Sequence, residues 1–217
     1  DSFLYGRGWL FGLLMASTVA LVIVGGIRSI AATASRIVPT MAALYIVSAL
    51  IIIAMSAEHL PGAIALIFSS AFTWTSVQGG MVGAIIVGFQ RALFSNEAGI
   101  GSASIAHSAV QTDEPASEGL VSLLEPFIDT VVICTMTALV IVIFNFGGFF
   151  EYGGDGSGVV FIDGVGYEGA GITSKAFAEY IPYSNIFLTI AVVLFAVSTM
   201  ISWSYYGLQS WKFLFGR

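Results

Sequence analysis

The chain has 217 residues, of which 57% are hydrophobic and only 9% charged, against about 45–50% apolar and 25% charged in soluble domains. Its net charge of −6, with seven scattered Lys and Arg residues, excludes the clustered basic face that a nucleic-acid binder needs. The single cysteine, Cys134, excludes an intrachain disulfide or multi-cysteine metal site, and inside an apolar run it reads as a small buried hydrophobe.

Uncharged stretches at 8–27, 37–57 and 181–211, and 119–150 with two acids, are each long enough for the roughly 20 residues that cross a bilayer as helix. Barrel strands alternate in short segments and these runs do not, so the expected class is an all-α polytopic membrane protein. The chain opens at Asp1 without methionine or cleavable leader and stops at Arg217 just after an apolar stretch. It is therefore expected to be a piece of a longer protein.

In chain order, the first span is expected at 8–26, after Arg7 and before Gly25-Gly26. A linker, SIAATASRIVP, follows between Arg28 and the second span at 39–55, where Pro39 falls in the first turn and costs least. The apolar run after SAEHLPG is too short to cross alone and reads as a re-entrant or surface helix. A third span, 79–107, is broken by LFSNEAGIGSASIAH. The fourth is expected at 118–146, the fifth at 184–207, and the Gly-rich stretch between them, 147–180, as a flexible loop ending in a short helix near Thr173 to Tyr180. Arg28, Arg36, Lys212 and Arg217 fall on one side of this arrangement, which the positive-inside tendency makes cytoplasmic, with 147–180 outside.

The polar break in the third span is the informative feature. Non-helical backbone at membrane depth is tolerated only beside protein or an aqueous cavity. It leaves carbonyls free at the end of one half-helix and amides at the start of the next, which suit a cation and an anion respectively. A zwitterionic amino acid carries both charges. Ser95 and Asn96 either cap the freed amides or touch a ligand. Gly99 and Gly101 provide backbone freedom or close packing. Glu97 either braces the break through hydrogen bonds or handles an ion.

Two further groupings bear on such a cavity. Thr199 and Trp203 lie one turn apart in the fifth span, with Ser198 adding a second hydroxyl, although Ser and Thr also bond back to the preceding turn. Glu118, Ser122, Glu125 and Asp129 share a narrow arc of the fourth span, and such an acidic stripe either lines an inner exit or holds neighbouring helices. An intramembrane hydrolase using Ser95 with His107 as base fails on distance, since twelve helical residues separate them by about 18 Å. An ion channel would share the cavity but conduct without saturable exchange.

The block QRALFSNEAGIGSASIAHSA, residues 90–109, resembles the sequence block typical of the alanine or glycine:cation symporter family. It departs at Ala92, where the family usually has glycine, and at Ser104, where it usually has proline. The resemblance extends over the whole chain, corresponding to the family's fourth to eighth transmembrane helices, about half of a member. It implies a partial leucine-transporter-like inverted-repeat fold with a discontinuous helix, and sodium-coupled symport of small neutral amino acids at the cell's inner membrane. It implies no enzymatic activity and no cofactor beyond sodium as coupling ion. By that likeness Phe94, Asn96, Gly99 and Ile100 line the substrate pocket and Thr199 and Trp203 close it. Ser198 and Thr199 offer sodium its oxygens, and Ser95, Glu97, Gly101 and Asp129 have structural or gating roles.

Overall fold

A computed structural model of the chain describes residues 7–71, 85–86, 88–89, 97–152 and 159–216. The described residues are dominantly helical and include three helices long and apolar enough to cross a membrane. Large apolar side chains such as Leu44, Leu120 and Phe213 are exposed along them. That exterior is what lipid-facing helices require, because hydrocarbon gives no reason to bury them. Cys134, expected to be buried, is exposed for the same reason.

The contacts divide the chain into two compact units, 1–45 with 187–217, and 46–186. In the first, α1 (Gly8–Val24) meets α2 (Gly26–Met55) at a glycine joint instead of a loop. Gly26 takes a φ of +68°, and a Cβ on Gly25 would come within 2.4 Å of the Ser29 Cβ. Only glycine meets both demands. The linker expected after Arg28 is instead part of α2, which runs unbroken through Pro39. Proline removes the amide that would bond to the Ser35 carbonyl, but inside lipid a helix is the backbone's main option. Thr40 Oγ1 donates to the Arg36 carbonyl at 2.8 Å. At 1.5 Å per residue α2 is about 45 Å long, more than the roughly 30 Å of hydrocarbon, so a turn or more projects beyond it.

The same unit contains most of α8 (Ser184–Phe215), which continues past the expected end at 207. Met15 and Val19 of α1, Ile30 of α2, and Val197 and Ile201 of α8 form its buried cluster.

The second unit contains α3 (Leu60–Ala71), α4 (Glu97–Ile100), α5 (Ala103–His107), a composite α6 (Pro115–Gly147) and α7 (Ala170–Tyr180). Pro115 opens α6 where its missing amide has no helical partner anyway. Pro126 precedes eight π-helical residues, Phe127–Cys134, a widened geometry that is rare and concentrates at functional sites. Both α3 and α7 pack on the C-terminal part of α6, burying Ala63, Val140, Ile143, Ala176 and Phe177. The His59 ring meets Phe146 edge-on at 5.2 Å, which puts the α2–α3 turn on the same membrane side as the 147–180 stretch.

That stretch is not a plain flexible loop. Strands β1 (Glu151–Tyr152), β2 (Val160–Ile162) and β3 (Val165–Tyr167) form an antiparallel sheet in that order. Asp163 and Gly164 join β2 to β3 with φ of 53° and 75°, the two-residue turn that an Asp-Gly pair between alternating apolar residues favours. The helix expected near Thr173 starts earlier, at Ala170, and its Lys175 reaches Asp163 at 3.6 Å.

Candidate substrate and ion site

Phe94, Ser95 and Asn96 lie outside the described residues. The run that follows is not uniformly unwound: Glu97–Ile100 is one helical turn, α4, closed by the Gly101 amide donating to the Glu97 carbonyl at 2.8 Å. Gly99 is therefore in a helical turn and Ile100 stands exposed beside it. The interruption falls at Gly101 and Ser102, between α4 and α5. Gly101 has a φ of +82° and nothing within 4 Å of where a Cβ would be. Backbone conformation, not crowding, thus calls for glycine there. The Ser102 Oγ beyond it is buried with no hydrogen-bond partner among the described residues.

Two carboxylates from α6 hold this interrupted segment. The Glu97 amide donates to Glu125 Oε1 at 3.1 Å, so a carboxylate from α6 meets the main chain of α4. Eleven residues beyond His107 in sequence, Glu118 Oε1 lies 2.6 Å from the His107 Nδ1 at the end of α5. Both side chains are mostly shielded, at 27% and 19% exposure. Glu118 and Glu125 are seven residues apart, two helical turns, and so share a face. Both carboxylates of the acidic stripe thus contact neighbouring segments, and Glu118 also lines a recess. Asp129 lies farther along, half-buried in the π-helical stretch.

Between α5 and the start of α6 is a recess of about 500 Å³, lined by Ser104, His107, Ser108, Thr112, Glu118 and Ser122 among others. Sequence reasoning named Glu118 and Ser122 as a stripe but missed that Ser104 and Ser108 would face it. Their four-residue spacing with the intervening His107 was the available signal.

In the other unit, Ser198 Oγ and Thr199 Oγ1 both donate to the Phe195 carbonyl at 2.9 Å. The back-bonded arrangement is thus realised, yet it leaves each oxygen's lone pairs available to a cation. Trp203 is half-exposed, one turn from Thr199, with its ring edge-on to Tyr206 at 6.1 Å. The described residues contain no group of three His, Cys, Asp or Glu able to hold a metal ion.

Long apolar helices, with two short helices that part at a left-handed glycine and are held by carboxylates, define a polytopic helical membrane protein. The particular family follows from comparison: residues 2–217 match the model of the sodium:alanine symporter family, and the chain belongs to it. It is 40% identical over 206 residues to the sodium/alanine symporter AgcS of Methanococcus maripaludis, covering 94% of this chain and 43% of that protein. The probable sodium/glutamine symporter GlnT of Bacillus subtilis is 34% identical, covering 94% and 40%. The sodium/proton-dependent alanine carrier protein of Bacillus sp. PS3 is 35% identical, covering 89% and 44%. The chain thus spans less than half the length of these relatives.

Proposed function

We propose that this chain is part of a secondary transporter of the cell's inner membrane that couples sodium entry to uptake of a small neutral amino acid, alanine or glycine. Membership of the sodium:alanine symporter family supports the coupling ion and the substrate class. The observation that carries the mechanism is the helix interruption at Gly101, next to a segment anchored by Glu118 and Glu125. A discontinuous helix offers main-chain dipoles to a solute carrying both charges without placing a fixed ion in lipid.

In this reading the fold is a leucine-transporter-like inverted repeat completed by the rest of the protein, and alternating access moves one repeat against the other. Phe94, Asn96, Gly99 and Ile100 contact substrate, while Thr199 and Trp203 close the pocket. Ser198 and Thr199 supply oxygen lone pairs, the ligand type a hard cation takes. Ser95 and Glu97 brace the break, Gly101 forms it, and Asp129 acts at the π-helical stretch as a structural or gating residue. The basic residues Arg28, Arg36 and Lys212 face the cytoplasm.

The test is uptake of labelled alanine and glycine by the full-length protein in vesicles. Uptake is expected to rise steeply with an inward sodium gradient and to saturate with substrate. Equal rates with and without the gradient would remove the coupling, and unsaturable flux would favour a channel.

A further inference from the structure

We infer that the recess between α5 and the start of α6 is a second cation station, distinct from the oxygens of Ser198 and Thr199, where a monovalent cation pauses on the cytoplasmic side. The inference rests on the symport reading above and on its orientation.

Three hydroxyls of the recess give their hydrogens to the main chain. Ser104 donates to the Gly101 carbonyl at 3.1 Å, Ser108 to the Ile105 carbonyl at 2.9 Å and Ser122 to the Gly119 carbonyl at 2.8 Å. Each of these residues lines the recess. A hydroxyl has one hydrogen and two lone pairs, so with the hydrogen spent on the main chain each has only lone pairs left to offer. Glu118, also in the lining, adds a carboxylate, which is acceptor-only when ionised. Its Oε1 lies 2.6 Å from the His107 Nδ1, which also belongs to the lining. The recess is therefore furnished with hydroxyl and carboxylate acceptors.

Its charge is also uncompensated by fixed cations nearby in sequence. No lysine or arginine occurs between Arg91 and Lys175, while Asp113, Glu114 and Glu118 cluster around the turn into α6. An acidic turn runs against the basic preference of cytoplasmic loops. A mobile cation resolves both features, since hydroxyl and carboxylate oxygens are what a hard monovalent ion takes, and a substrate's ammonium group asks for the same acceptors. At about 500 Å³ and open to the surface, the recess suits a hydrated ion in passage better than a tightly caged one.

The experiment uses full-length protein in vesicles with sodium inside. Inner sodium is expected to slow alanine uptake, and Glu118→Gln, which keeps an oxygen for His107 but removes the charge, should raise the half-inhibitory inner concentration about tenfold. The outer sodium dependence should not move. Ser104→Ala and Ser108→Ala should shift the inner value in the same direction by less. The same shift with inner alanine in place of sodium supports the station with an ammonium guest.

An unchanged inner value for both guests overturns the inference, as does an equal shift of inner and outer dependences, which would mean Glu118 acts through the fold. Uptake that ignores sodium altogether would defeat the symport reading instead. The station would then be judged on protein carrying Ser108→Cys, its native cysteines, Cys134 included, replaced by alanine, by whether sodium, and not choline, slows its labelling with a thiol reagent. Slowing supports it and identical labelling rates overturn it.

Discussion

The two units solve the same problem differently. In the unit built from α1, the start of α2 and most of α8, hydroxyls bond back to their own helices and the one sharp joint is made by two adjacent glycines. In the unit from 46 to 186 the helix gives way at Gly101, a π-helical stretch follows Pro126, and carboxylates from α6 reach across to α4 and α5. The difference teaches where a membrane protein spends its polar side chains. A regular helix satisfies its own backbone and needs little help, whereas an interrupted one needs partners from another element.

That contrast can be broken first at Gly101. Gly101→Val in the full-length protein should cut sodium-driven uptake at least about tenfold, because a left-handed conformation costs an ordinary residue about 1–2 kcal/mol and a β-branched one more. Gly101→Asn, which tolerates that conformation, should retain more activity than Gly101→Val. Equal loss in both would mean that space, not φ, matters there.

Glu125 comes next. Glu125→Ala strips the Glu97 amide of its acceptor and should destabilise the protein by about 1–3 kcal/mol, read as a lowered Tm in detergent. Glu125→Gln, which keeps an acceptor oxygen, should restore most of the loss; no restoration would show that charge, not hydrogen bonding, is what α4 requires.

A double-mutant cycle of His107→Ala and Glu118→Ala tests the other half of the break. The coupling between them should be about 1 kcal/mol, and additive effects would deny the pair any role in holding α5. The smallest effect is expected in the regular unit. Trp203→Ala should leave Tm nearly unchanged and broaden selection among amino acids by a few-fold; identical selectivity across side-chain sizes would take Trp203 out of the pocket.

Much of this was legible beforehand, and the exceptions have identifiable causes. The apolar runs located the long helices because length and absence of charge suffice for that. The joint between α1 and α2 was misread as a longer linker, because the small residues from Ser29 to Ser35 and Pro39 suggest a loop in water but not in a bilayer, where helix is enforced. The Gly-rich stretch hid a hairpin that Asp163-Gly164, between Val-Phe-Ile and Val-Gly-Tyr, does signal; the surrounding glycines masked it. At the site, the interruption and the acidic stripe could be read from residue types and spacing. That Gly101, rather than Gly99, takes the left-handed conformation could not, since the two glycines are chemically identical. Nor could Glu125's partner, a main-chain amide, which every residue but proline possesses.

The most direct measurement is a cysteine scan of residues 97–107 in full-length protein whose native cysteines, Cys134 included, are replaced by alanine, labelled with a membrane-impermeant thiol reagent from the cytoplasmic side. With the helix interrupted at Gly101 and Ser102, accessibility should change phase there, with the recess-lining positions Ser104 and His107 labelled most readily. A single uninterrupted 3.6-residue period from Glu97 to His107 would contradict the account.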